Sequence, residues 1–142
     1  MNYKPIIVVA GEPNSIFLEI FFKAIKLKKY HCPIILIASK DLINLQMKKL
    51  KVNFKVNILN IENLKRQKIN NKSINLINVN YTQKKAFQKI TNKSNKYIEN
   101  CFHIAFSLIK KKYTHKLING PISKKHFLNK KFYGVTEYIA DN

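Results

Sequence analysis

Three short stretches of this 142-residue chain combine a glycine with charged, hydroxyl or amide side chains at spacings suited to holding an anion. The first is Gly11-Glu12-Pro13-Asn14-Ser15, directly after the β-branched run Ile6–Ala10 and ahead of an expected helix. In an open α/β sheet, ligands bind beyond the carboxyl ends of the strands, and helix N-termini attract anions. A plain strand-to-helix turn has the same appearance. The second stretch is Asn119-Gly120-Pro121-Ile122-Ser123-Lys124, and the third is Gly134-Val135-Thr136-Glu137-Tyr138. Lys124 is a point charge able to hold a phosphate, and the Thr136 hydroxyl can hydrogen-bond one. Taken alone, each is more often a solvated loop residue.

Other chemistries find little support. Glycine occurs only at positions 11, 120 and 134. A dinucleotide-binding fingerprint or a P-loop needs two or three closely spaced glycines, so both are excluded in their standard form. The histidines His31, His103, His115 and His126 show neither HExxH nor paired Cys-x-x-Cys spacing. His103 falls on the polar stripe of a long helix, four residues after Glu99, where an ordinary surface histidine belongs. Cys101 and His103, two apart on a helix, point about 200° apart and cannot easily share a metal. Cys101 reads instead as a small core residue. No serine has the G-x-S-x-G context of a nucleophile elbow.

The elements that must position these stretches alternate between strand and helix. Ile6–Ala10 and Pro33–Ala38 read as buried strands, Phe54–Leu59 and Ile74–Val79 as two more, and Lys116–Asn119 leads into the break at Gly120-Pro121. A helix is expected from about Ser15 to Lys28, with Glu19, Lys23 and Lys26 as its one polar stripe and an apolar arc wide enough to be mostly buried. Ser39 is a plausible N-cap for a helix over Lys40–Lys51, whose Asp41, Lys48, Lys49 and Lys51 suit its dipole. The longest helix is expected over Ser94–Lys112, turning Tyr97, Ile98, Cys101, Ala105, Leu108 and Ile109 inward. This βα alternation predicts a parallel or mixed sheet with helices packed on it. There is no internal repeat, low-complexity tract or evident linker.

The length corresponds to one domain, able to bury a sizeable core without disulfides or metal. A hydrophobic fraction of 46% argues against disorder despite a formal charge of +20. No apolar run approaches the ~18 residues of a membrane span. Glu12 follows only five apolar residues, so no secretory signal is expected. Two cysteines, Cys32 and Cys101, suggest reduced thiols and a cytoplasmic setting. Of the 27 basic residues only Arg66 is arginine, and Lys, Asn and Ile together make up 65 residues. Their codons are rich in A and T, so base composition alone would produce this bias. Nucleic-acid binders lean on arginine and concentrate their charge on one face. Here lysine is spread through nearly every ten-residue block, which reads as a diffusely basic, solvated surface. A lysine-rich nucleic-acid-binding domain is the alternative reading; a steep salt dependence of high-affinity binding would mark it.

At the three stretches the sequence resembles the 4-hydroxythreonine-4-phosphate dehydrogenase family of pyridoxal phosphate biosynthesis, in its N-terminal portion. That family opens with a strand ending G-E-P-A-G-I-G-P-E, where this chain has Gly11-Glu12-Pro13-Asn14-Ser15-Ile16-Phe17-Leu18-Glu19. It continues with a long helix, a strand ending T-G-P-(I/V)-x-K and a G-H-T-E-(Y/F) loop. Asn119–Lys124 and Gly134–Tyr138 match these in the same order and at similar separation.

The resemblance implies an isocitrate/isopropylmalate dehydrogenase-like α/β fold, a three-layer sheet with helices on both faces, incomplete here. It implies NAD(P)-dependent oxidation of 4-phosphooxy-L-threonine to a 3-keto acid that decarboxylates to 3-amino-2-oxopropyl phosphate. A divalent metal (Zn, Mg or Co) would favour the alkoxide and then the enolate. A homodimer, with its site in a cleft between two domains, is implied as well. The substrate-binding positions carried over are Glu12, Lys124, Thr136 and Val135, the last replacing the family's histidine. Valine neither donates a hydrogen bond nor carries charge, so that contact is lost or replaced. Ser15 and Phe17 stand where the family has glycines, which removes close backbone approach there. The family's three metal-ligand histidines belong to a later part, beginning at a T-H-L-P-L segment. The expectation is therefore an N-terminal portion over 1–142 that binds no catalytic metal and is inactive alone. A non-catalytic partner of the same lineage is a further reading, supported only by Val135.

Overall fold

The β-branched runs assemble into one sheet. In a computed structural model, which describes residues 3–27, 29–129 and 131–142, the strands are β1 (Ile6–Val9), β2 (Ile34–Ala38), β3 (Val56–Ile58), β4 (Ile74–Asn78) and β5 (Leu117–Asn119). All pairs are parallel, in the order β3-β4-β2-β1-β5. Strands covered on both faces should be continuously apolar, and β2 (IILIA) is buried along all but its first residue.

Successive residues of the central strands feed two separate cores, as the period of two requires. Val8, Ala10, Leu36, Ala38 and Leu76 pack with α1 (Phe17–Leu27) and α2 (Lys40–Leu50) on one face. Ile7, Val9, Ile35, Ile37 and Ile77 pack with α3 (Asn95–Lys110) on the other. The result is the three-layer α/β/α sandwich. Chain leaving β1 enters α1 on the first face. Chain leaving β5 forms a π-type turn (Lys124–Leu128) and α4 (Val135–Ala140), and their Leu128 and Tyr138 join the α3 face. Neighbouring strands whose exits diverge to opposite faces define a topological switch point, and here it lies between β1 and β5.

Local signals account for most boundaries. Ser39 Oγ accepts the Leu42 N–H at 3.3 Å and caps α2, while Lys51 closes it in a left-handed conformation at φ 53°. Glu19 and Lys23 pair at 2.7 Å on the outer face of α1. Other expectations shift. α1 begins at Phe17 rather than Ser15, because Ser15 lies in a turn, its N–H bonded to the Glu12 carbonyl and its Oγ accepting the Phe17 N–H. The expected last residue of that helix, Lys28, lies outside the described residues. α3 ends at Lys110, two residues early: Lys112 turns left-handed at φ 55°, and the Tyr113 N–H reaches back to the Leu108 carbonyl. The strand expected over Phe54–Leu59 shrinks to three residues at the sheet edge. Gly134–Tyr138, expected as a loop, is the N-cap and first turns of α4. The apolar arc of α1 is only partly covered, with Ile16, Ile20 and Leu27 exposed.

Candidate functional site at the carboxyl edge of the sheet

Because every strand is parallel, all five carboxyl ends and the loops leaving them share one edge of the sheet. Two of the three glycines serve there to lock the β1 and β5 loops together. The Gly120 N–H donates to the Val9 carbonyl at 2.7 Å, and the Glu12 N–H donates to the Pro121 carbonyl at 2.8 Å. A β-carbon on Gly120 would lie 2.1 Å from the Ala10 carbonyl oxygen. A β-carbon on Gly11 would lie 2.4 Å from the Pro121 oxygen, and Gly11 also has a φ of +73° that other residues rarely adopt.

This contact sets the place of Glu12. Its side chain is 4% exposed. One carboxylate oxygen accepts the Asn14 N–H at 3.2 Å, and the other accepts the Ser94 hydroxyl at 3.1 Å. Ser94 stands immediately before α3, so the carboxylate faces the positive end of that helix dipole. Among the described residues no lysine, arginine or histidine pairs with it.

Polar groups from distant parts of the chain complete the edge. Asn14 Oδ1 accepts from Gln83 Nε2 and from the Gln88 N–H. Asn95, the first residue of α3, donates its amide to the His126 carbonyl at 2.7 Å, and His126 Nδ1 lies 2.9 Å from Asn92 Oδ1. The α3 N-terminus is thereby tied to both loops. Among the described residues, two buried amide oxygens of this crest, Gln83 Oε1 and Asn95 Oδ1, find no donor, and neither does Gln46 Oε1 beneath the first loop. The Tyr81 and Tyr97 rings lie beside it, 4.8 Å apart and tilted by 33°. Burial raises the Tyr81 phenol above its ordinary range, and the Glu12 carboxylate adds to the effect. Tyr97 is raised further, chiefly by burial. Its hydroxyl accepts the Ser39 N–H at 3.2 Å.

Lys124 and Thr136 sit differently from Glu12. Both are exposed, and among the described residues neither side chain makes a hydrogen bond or ion pair. Lys124 opens the π-type turn, which Ser123 caps by accepting the His126 N–H at 3.1 Å. Thr136 lies on α4, which packs against that turn through the Tyr138 and Phe127 rings, 5.2 Å apart. Val135 is half-buried against the α3-face core. Five cavities of about 250–630 Å³ among the described residues are lined by none of Glu12, Lys124, Thr136 and Val135. The edge thus joins Glu12 to the β5 loop, and leaves Lys124 and Thr136 on adjoining, open surface.

Ser94, Asn95, Gln83 and His126 were not among the site residues expected from the sequence. Ser94 had a signal, since it begins the long helix. The other three had none, because their roles depend on contacts across tens of residues. Chemically, the exposed Lys124 ammonium after β5 can hold an anion, whereas the amide oxygens Gln83 Oε1 and Asn95 Oδ1 are closed to solvent. Among the described residues no three His, Cys, Asp or Glu side chains converge to hold a metal. Gly11 and Gly120 face protein backbone rather than an open cradle, so they do not fit a dinucleotide pyrophosphate.

Comparison with known proteins agrees with this architecture. A family model described as pyridoxal phosphate biosynthetic protein PdxA matches residues 30–142. The first loop falls outside that match, at the place where Ser15 and Phe17 replace glycines. No curated protein sequence matches significantly. Among solved structures, a 4-hydroxythreonine-4-phosphate dehydrogenase from Klebsiella pneumoniae superposes with a TM-score of 0.81 at 16% identity, over 97% of this chain. The corresponding enzyme from Burkholderia phymatum gives 0.79 at 17% identity, over 99%. This chain spans 44% of the length of each.

Proposed function

The chain belongs to the PdxA family of pyridoxal phosphate biosynthetic proteins, and from that premise we propose that its carboxyl edge forms one wall of a site for a phosphorylated amino acid. Residues 1–142 are the N-terminal portion of a two-domain, homodimeric, cytoplasmic 4-hydroxythreonine-4-phosphate dehydrogenase. The whole enzyme oxidises the C3 hydroxyl of 4-phosphooxy-L-threonine to a 3-keto acid, which decarboxylates to 3-amino-2-oxopropyl phosphate. The family match over residues 30–142 carries this reading, because both Lys124 and Thr136 fall within it.

Each residue then has a physical task. The Lys124 ammonium, exposed and free of any carboxylate, neutralises the substrate phosphate. The Thr136 hydroxyl donates a hydrogen bond to it. Glu12, held by Ser94 and Asn14, fixes the loop that meets the substrate. Val135 supplies apolar contact only, so the polar contact of the family's histidine passes to neighbouring groups. The reading carries with it NAD or NADP as hydride acceptor and a divalent metal, Zn, Mg or Co. Among the described residues no three His, Cys, Asp or Glu side chains converge on a metal, and on this reading the chain alone is inactive.

Two measurements test this. Titrating 4-phosphooxy-L-threonine into the isotope-labelled chain should move the amide resonances of Lys124 and Thr136, and an unchanged spectrum would sink the substrate wall. A nicotinamide-reduction assay on the chain alone should give no turnover, and measurable turnover would overturn its inactivity while leaving the substrate class standing.

A further inference from the structure

The opposite edge of the sheet, at the amino ends of β2 and β4, holds a cavity of about 480 Å³ that the dehydrogenase reading does not use. Its floor is apolar: Phe21 and Ile25 of α1, with Ile34 and Ile74 from the strands. Its rim carries Lys29 and Lys72. Both are exposed, and among the described residues neither ammonium has an anionic partner. The Ser73 hydroxyl, also on the lining, is likewise without a hydrogen bond.

The walls are fixed by two asparagines whose side chains are saturated. Asn71 donates both amide protons, to the Tyr30 and Cys32 carbonyls at 2.8 Å each, and accepts the Ile34 N–H at 2.9 Å. Asn75, 1% exposed, donates to the Ile34 and Asn70 carbonyls and accepts from Asn57. The loop before β2 is thus pinned to the loop before β4, and these bonds fix the walls of the space between them. A pre-formed pocket of this size, largely apolar with a few convergent polar groups, has the character of a small-molecule site. Two unpaired ammoniums at its mouth, with no carboxylate on its lining, select for negative charge.

We propose that this cavity is a second ligand site, for a small organic anion with an aromatic body and a single carboxylate. The ring lies on Phe21, Ile25, Ile34 and Ile74. The carboxylate meets Lys29 and Lys72 and accepts the Ser73 hydroxyl.

The test uses the full chain and 2-naphthoate as the probe, with the neutral 2-naphthamide as its control. Calorimetry should give saturable one-to-one binding of naphthoate, with the amide weaker by about tenfold from the loss of two screened charge contacts. Resonances of Ile25, Ile34 and Ile74 should move, and those of Lys124 and Thr136 should not. The double charge reversal Lys29→Glu/Lys72→Glu, at exposed positions, should weaken naphthoate about tenfold and leave the amide unchanged. Ile74→Trp should block both probes. Non-saturable binding, equal affinity for acid and amide, or shifts at Lys124 and Thr136 would each overturn the proposal. Loss of phosphooxy-threonine binding at the carboxyl edge would leave it untouched.

Discussion

A β-carbon at Gly120 would press to within 2.1 Å of the Ala10 carbonyl oxygen, so Gly120→Ala must force the β1 and β5 loops apart. That overpacking should lower unfolding free energy by about 1–3 kcal/mol, read as a reduced urea midpoint. Ser94→Ala removes a hydroxyl from the buried Glu12 carboxylate. A hydrogen bond to a charged group is worth about 1.5–3 kcal/mol, and the loss should be smaller in Ser94→Thr, which restores the hydroxyl. Cys101 gives a pH prediction with a fixed sign. Burial pushes its thiol from 9.0 up to about 12. Between those values the unfolded chain releases the proton while the folded chain keeps it. Stability is therefore fully present below pH 9 and should fall by about 1.4 kcal/mol per pH unit as the pH rises toward 12. Tyr97, raised in the same direction, adds to the loss at the alkaline end. In the native state a thiol reagent should modify half-buried Cys32 well before Cys101.

At the scale of elements, α4 is a six-residue helix, too short to persist without tertiary support. Tyr138 supplies that support, its ring centroid lying 5.2–6.4 Å from those of Phe102, Phe106, Phe127 and Phe132. Tyr138→Ala should cost about 3 kcal/mol. Amide exchange should accelerate selectively over residues 135–142, with β1, β2 and β4 still protected. α1 behaves in the opposite way on its outer face. Ile20 is 53% exposed, so Ile20→Lys should change stability by no more than about 0.5 kcal/mol. Phe22, buried beneath it and stacked 5.6 Å from Phe54, should cost about 3–5 kcal/mol as alanine.

For the molecule as a whole, charge is the dominant property and a poor guide to function. The +20 balance comes from lysines on the helices and connecting loops rather than on the strands, and among the described residues only Lys23 and Lys96 pair with an acid. A field spread this way attracts anions weakly from all sides, without the focused basic face of a nucleic-acid binder. Gel-shift titrations at two salt concentrations should find only weak binding that salt abolishes without sequence preference. At the same time Ile16, Ile20, Leu27 and Ile118 leave apolar surface on α1, on the residue before it and on the edge strand β5. No helix of the described structure is long and apolar enough to cross a membrane.

Strand runs such as Ile6–Ala10 and Pro33–Ala38, observed as Ile6–Val9 and Ile34–Ala38, the Ser39 cap and the inward stripe of α3 were legible because each rests on neighbours within a turn or a period of two. The sheet with helices packed on it followed from their alternation, and the three-layer class and the lineage from the resemblance at three short motifs in order. What lay beyond the sequence depended on contacts across long separations. The fit of Gly11 and Gly120 against opposing backbone, the Ser94 partner of Glu12 some eighty residues away and the asparagine-walled cavity all arise only when parallel strands bring distant loops to one edge. α4 was missed for the same reason, since its stability comes from aromatic rings on other elements rather than from its own six residues.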